Sequence, residues 1–159
     1  MKIAVVSDTH GINKEIIESL SDMGKFDLLL HLGDHVDDGI KISKALGLKA
    51  VIVSGNCDHN STKDYEELIE VDGKKIFLTH GHRYNVNFDL NTLYYKAQEL
   101  GADIALFGHT HIPIILKEND ITIMNPGSPS LPRTKDKKKT FGVVKINGDR
   151  LEVEIVEIK

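Results

Sequence analysis

Tryptophan is absent from this 159-residue chain, cysteine occurs once and proline four times. A single cysteine excludes an internal disulfide, so the core must hold by packing alone. No apolar run approaches the roughly 20 residues that a membrane-spanning helix needs. Nor is there a basic excess: 20 Lys and Arg stand against 24 Asp and Glu, for a formal net charge of -4. That balance argues against a broad nucleic-acid footprint. The chain opens in an apolar run without a basic leader or small-residue cleavage site, so a cytoplasmic protein is expected. No repeat, low-complexity tract or linker-like shift interrupts it, and one domain over 1–159 is expected.

Apolar runs alternate with helical patterns through the first two thirds: "KIAVVS", "DLLLHL", "AVIVS", "KIFLT" and "DIALF". Between them, Ile16, Ile17, Leu20 and Met23, and later Leu90, Leu93, Tyr94, Ala97 and Leu100, recur at helical spacing. Gly24, Gly47 and Gly101 follow as C-caps. This alternation predicts an α/β fold with strands buried on both faces. In the last third, "IPIILKE", "ITIMN", "TFGVVKI" and "LEVEIVEI" read as strands joined by "END" and "NGD" turns. They are expected to form a second, largely antiparallel set packed on the first sheet.

Each of the five apolar strands ends in a polar residue able to bind a metal. They lead into Asp8-Thr9-His10, Asp34, Asn56, His80-Gly81-His82 and His109-Thr110-His111, in that order. Ligands of open α/β sheets bind at the carboxyl ends of strands, so five such ends can deliver their side chains to one crevice. Any one alone has an ordinary reading: a helix cap for Asp8 or Asp34, a turn for Asn56, a surface residue for a histidine. Recurrence at five strand ends is what those readings leave to coincidence. Gly11, Gly33, Gly55, Gly81 and Gly108 lie within two residues of these donors, as expected where backbone turns sharply or comes close to a ligand. Imidazole, carboxylate and amide oxygen together suit borderline divalent ions: manganese, iron, cobalt, nickel or zinc. Two such ions against the carboxylates of Asp8 and Asp34 leave a cationic site, suited to a phosphate ester.

In this order "SDTHG", "LGDH", "SGNCD", "THGH" and "FGHTH" resemble the signature of the calcineurin-like metallophosphoesterase superfamily. The short length, "GNCD", "THGH" and "NPGS" resemble its small prokaryotic phosphodiesterase branch. The resemblance implies two packed mixed β-sheets flanked by helices, a four-layer α/β sandwich. It implies that Asp8, His10 and His111 bind one ion, that Asn56, His80 and His109 bind another, and that Asp34 bridges them. Two divalent ions per chain, manganese first, would then hydrolyse a small phosphodiester through a metal-bridging hydroxide.

The pattern departs from the family at Cys57, where many members carry a histidine that contacts phosphate and protonates the leaving oxygen. His59 and His82 are the candidates to replace it. Asp58 is expected to orient a neighbouring ligand, and His31 to be a core or sheet-face residue. Ser128 and Arg133, in the "NPGSPSLPR" loop, are candidates for phosphate contact. The basic run "RTKDKKKT" is either a solvated loop or a rim that attracts an anionic substrate. A phosphomonoesterase on the same site, a non-catalytic scaffold like the retromer subunit that resembles this fold, and a thiol enzyme at Cys57 are the competing functions. Exposed strand edges leave a homo-oligomer open.

Overall fold

The computed structural model describes residues 1–159. Strands β1 (Lys2–Val6), β2 (Leu28–His31) and β3 (Lys49–Ile52) run parallel, linked by helices α1 (Lys14–Asp22) and α2 (Val36–Leu46). β4 (Glu66–Val71) and β5 (Lys74–Thr79) form a hairpin, followed by α3 (Asn91–Glu99) and β6 (Ile104–Leu106). Two further hairpins close the chain: β7 (Ile114–Glu118) with β8 (Ile121–Asn125), and β9 (Thr140–Asn147) with β10 (Arg150–Glu157).

Two mixed five-stranded sheets result, ordered β10-β9-β1-β2-β3 and β4-β5-β6-β8-β7. The expected α/β architecture of two packed sheets flanked by helices is therefore present, but its strands are divided differently. The last four strands do not make a separate sheet. β9 adds antiparallel to β1, and β8 adds parallel to β6, so each terminal hairpin extends a different sheet. The first pairing joins Ile3 to Val144 and the second Ile104 to Thr122, and local periodicity carries no information about either.

Period-two alternation on β1 shows how the layers are assembled. Ile3 and Val5 point between the sheets, into a cluster with Leu30, Val53, Ile76, Leu106 and Met124. Ala4 and Val6 point the other way, against Ile16 and Leu20 of α1 and Ile42 of α2. On the far side, Phe77 and Phe107 pack against Leu93 and Ala97 of α3. These are four layers, and truncating a fully buried member such as Leu30 is expected to cost about 2–5 kcal/mol. Gly47 caps α2 in the left-handed region, with φ 63°, as the sequence predicts. No helix is long and apolar enough to cross a membrane.

β4 is not among the predicted strands. Its segment "EELIEV" reads as the tail of a polar loop, yet Asp72-Gly73 follows it, and Asp-Gly between strands is a strong hairpin signal. Being an edge strand, it keeps acidic side chains partly in water, which hides it from a search for apolar runs.

His31 ends β2 with no solvent exposure, in agreement with a core role. Burial pushes its imidazole down from 6.5 to about 4, with Asp8 and Asp38 opposing that shift. Between those values the unfolded chain binds the proton and the folded chain does not, so stability falls as pH drops from 6.5 towards 4. In metal-free protein, urea unfolding at pH 7.5 and 4.5 is expected to show a loss of about 2–3 kcal/mol that a His31→Gln variant lacks. Equal pH dependence in both proteins would show that His31 takes up its proton in the folded state.

Candidate metal centre

All seven candidate donors stand on loops leaving the carboxyl ends of strands. Asp8, His10, Asp34 and Asn56 follow β1, β2 and β3 of one sheet, whereas His80, His109 and His111 follow β5 and β6 of the other. The site thus lies where the same edges of two packed sheets meet, rather than at the edge of one.

The backbone there is unusual. Asp8, His10, Asp34, His109 and His111 all adopt left-handed conformations, with φ of 58°, 46°, 54°, 69° and 57°. Non-glycine residues occupy that region at a cost of order 1 kcal/mol each, aspartate and histidine more readily than most. The left-handed turn lets each loop double back at once, so that side chains two apart in Asp8-x-His10 and His109-x-His111 face the same point. Glycine allows the loops to close. A Cβ on Gly55 would run into the Asp34 backbone and carboxylate, and one on Gly108 would meet Ser7 Oγ and lie 2.8 Å from Asp8 Oδ2.

Two groups of donors result. Asp8, His10, Asp34 and His111 each offer an atom within 4.8 Å of the others. His111 Nε2 is 3.3 Å from Asp8 Oδ1 and 3.3 Å from His10 Nε2. The second group joins His109 Nδ1 to Asn56 Oδ1 at 3.0 Å and to His80 Nε2 at 3.3 Å. Asp34 lies between them, Oδ2 being 3.7 Å from His10 Nε2 and Oδ1 3.4 Å from His80 Nε2.

Hydrogen bonds to backbone fix which imidazole nitrogen faces inward. His80 Nδ1–H donates to the Leu32 carbonyl at 2.8 Å, and His111 Nδ1–H donates to the Leu131 carbonyl at 2.6 Å. Each leaves its Nε2 lone pair directed into the cluster, the arrangement expected of a metal-binding histidine. Asp8 Oδ1 is buried with no hydrogen-bond partner, although Oδ2 accepts the His109 N–H at 3.0 Å. An orphaned carboxylate oxygen among inward lone pairs is the environment a divalent cation relieves, and this donor set fits one.

Electrostatics agree. Burial raises the Asp8 carboxyl, but the adjacent His111 and His80 rings outweigh it and hold the group below the ordinary carboxylate range. Burial lowers His10, and burial with the neighbouring His80 lowers His109. Both rings are therefore neutral near pH 7, the form in which imidazole binds metal. His111 is the exception: burial lowers it, yet Asp8 raises it further.

Several supporting residues were not foreseen. Asp38, in the first turn of α2, is 1 % exposed and accepts from Gly11 N–H at 2.7 Å, Thr9 Oγ at 2.8 Å and Asn13 Nδ2 at 2.8 Å. It clamps the Asp8–His10 loop, and its only sequence signal is an ordinary acidic residue at a helix start. Asn125 Nδ2 donates to the Gly108 carbonyl at 2.8 Å and steadies the His109 loop. Asp58 does not orient a candidate ligand. Its carboxylate accepts from the backbone N–H of His35, Val36 and Gly55 and ties the β2 and β3 loops together. Ser128 is fully buried; it donates to the Asp8 carbonyl and accepts from Leu131 N–H, so its hydroxyl is unavailable to phosphate.

The remaining candidates stand around the rim. The His82 ring lies 5.4 Å from His80 and 6.2 Å from His109, and burial lowers its pKa. His59 is exposed, in the wall of a cavity beside the centre that Cys57 also lines. Arg133 Nη1 donates to the His109 carbonyl at 3.4 Å, which brings a cation to the edge of the cluster. Burial and the adjacent Asp34 push the Cys57 thiol up to about 11, so it stays protonated near neutrality and the thiol-enzyme alternative loses its nucleophile.

Residues 1–149 match the calcineurin-like phosphoesterase superfamily domain. The chain belongs to that superfamily. A probable metallophosphoesterase of Methanothermobacter thermautotrophicus is 35% identical to it over 161 residues, covering 98% of this chain and 92% of the relative. The phosphodiesterase YfcE of Escherichia coli is 27% identical, covering 84% of this chain and 82% of its own. A predicted phosphoesterase of Streptococcus pneumoniae superposes with a TM-score of 0.83 at 32% identity, over 98% of this chain and 88% of that one. Vps29 of Entamoeba histolytica, solved with zinc, shares the fold with a TM-score of 0.81 at 22% identity, over the whole of both chains. This superfamily member is thus a phosphoesterase with a side-chain cluster competent to bind metal.

Two predictions follow from the packing. Gly55→Ala is expected to destabilise the metal-free protein by about 1–3 kcal/mol in chemical unfolding, because the added methyl meets Asp34. In chelated protein, iodoacetamide labelling of Cys57 is expected to be slow at pH 8 and to keep rising towards pH 11. A plateau near pH 9 would show that Asp34 and burial do not act on the thiol.

Proposed function

We propose that this chain is a metal-dependent phosphodiesterase with a dinuclear centre, Asp8, His10 and His111 holding one divalent ion and Asn56, His80 and His109 the other. Asp34 presents one oxygen to each group and would bridge them. The observation that carries this reading is the clustering of the seven donors around the orphaned Asp8 Oδ1, five of them on left-handed backbone and two, His80 and His111, with the Nε2 lone pair directed inward. Manganese is the first choice, and iron, cobalt, nickel or zinc are compatible with the same donors. Bound there, divalent ions supply Lewis-acid stabilisation of a phosphoryl group and a nucleophilic water at neutral pH.

The chain's own residues supply position and charge. Asp8 and Asp34 are the only carboxylates among the seven donors, so the loaded site is cationic and attracts an anionic ester. Arg133 adds a guanidinium at the rim, where it can pair with a non-bridging phosphoryl oxygen.

No strong acid stands ready for the leaving oxygen. In the metal-free protein the Cys57 thiol is pushed up to about 11 and burial lowers His82, while His59 is exposed on the rim. His82 is therefore proposed to orient the substrate, and His59, on the rim, to be the remaining candidate proton donor. Esters of acidic alcohols and phenols should react fastest as a result.

Aryl diesters such as bis-p-nitrophenyl phosphate are expected to be cleaved in preference to p-nitrophenyl phosphate when manganese is added. Asp34→Asn should lower kcat/KM by more than the roughly 10–100-fold that losing an outer hydrogen-bond partner costs, and should reduce bound metal measured by atomic emission. Exclusive monoesterase activity, or full activity after metal removal, would overturn the proposal.

A further inference from the structure

A cavity of about 420 Å³ opens beside the candidate metal centre, between the start of α2 and the loop after β3. That volume falls within the roughly 300–1,000 Å³ of small-molecule sites and far exceeds the needs of a phosphoryl group. Its inner wall is shared with the centre. Cys57, which lines it, donates its backbone N–H to Asp34 Oδ1 at 3.0 Å, and His35, which also lines it, has its ring 5.1 Å from the ring of His10. A group linked by one ester bond to a phosphate at the centre would enter this space.

The lining says what kind of group fits. Val36 and Ile40 give it an apolar surface, while Asn60, Ser61 and Thr62 supply amide and hydroxyl partners. Backbone N–H groups of His35, Val36 and Gly55 engage the Asp58 carboxylate, which keeps its charge. Asp37 and Asp58 stand against the single lysine Lys63, so the carboxylates outnumber the amines in the lining by one. It does not suit a second phosphate. An uncharged group with an apolar face and polar edges does suit it, and a nucleoside has that form.

We propose that this cavity seats the second ester substituent of the substrate and selects phosphodiesters in which that substituent is a nucleoside. The inference rests on the phosphodiesterase reading above and names its substrate class. A monoester of a small phenol would leave the cavity empty, and a methyl diester would hardly enter it.

Hydrolysis of thymidine 5′-p-nitrophenyl phosphate and of methyl p-nitrophenyl phosphate by manganese-loaded protein tests the proposal, since both release the same phenol. Wild type is expected to favour the thymidine diester by about tenfold or more in kcat/KM. Thr62→Trp and Asn60→Trp, both at exposed loop positions, should fill the cavity and bring that ratio towards unity. A wild-type ratio near one, or a ratio that neither variant moves, would overturn the proposal. An independent readout needs no turnover: thymidine added to metal-free protein should shift the backbone amide resonances of residues 60–63 saturably. Absent shifts would defeat the cavity's role whatever the catalysis, whereas saturable shifts without hydrolysis of either diester would support the nucleoside seat and defeat the phosphodiesterase reading.

Discussion

The protein crowds metal-binding ring nitrogens and carboxylate oxygens into one small volume, and most of its local irregularities trace to that constraint. His10 and His111 oppose ring nitrogens at 3.3 Å, and so do His80 and His109. Burial lowers the basicity of His10 and His109, while Asp8 raises that of His111 against burial, so neighbouring rings in the cluster are pushed in opposite directions. Five left-handed non-glycine residues add local backbone strain of order 1 kcal/mol apiece. A cation would draw the crowded donors together, while the backbone strain is held by the rest of the fold.

What holds it is the cluster between the sheets. Ile3, Val5, Leu30, Leu78 and Leu106 are buried on strands that lead into the loops of the centre. Because donors come from both sheets, a shift of one sheet against the other would displace His80, His109 and His111 relative to Asp8, His10, Asp34 and Asn56. Close packing resists such a shift. Hydrogen bonds across the loops reinforce it: Asp38 clamps the first loop, Asp58 ties the second to the third, and Asn125 steadies the loop of His109. The Ser128 and Ser130 hydroxyls both donate to the Asp8 carbonyl, joining the loop that follows β8 to the one that follows β1.

Much of this was legible in the sequence. A polar residue after a buried apolar run is a local signal, and the seven donors come together in the folded chain. The left-handed turns were foreshadowed only through the neighbouring glycines, because nothing in "SDTHG" states that Asp8 and His10 themselves take positive φ. The division into two sheets was not legible, since β1 with β9 and β6 with β8 are non-local choices. β4 was missed because an edge strand keeps charged side chains in water, and Asp38 because its partners are backbone and side-chain groups some 25 to 29 positions away. Ser128 was misjudged for a related reason: a hydroxyl in a proline-rich loop can serve a neighbouring backbone as well as a ligand, and only the fold tells which.

Cys57 belongs to both the centre and the cavity. Its N–H fastens Asp34, its thiol lines the outer cavity, and burial with nearby carboxylates keeps that thiol protonated. An imidazole at this position would offer a proton donor between the centre and the cavity. A cysteine offers a smaller, uncharged wall there instead. On the proposed function, the exchange gives up general acid catalysis at the leaving oxygen and opens the passage towards Val36 and Ile40, so the basicity of the leaving group still governs the rate and the shape of what else is attached to the phosphate adds a second discrimination.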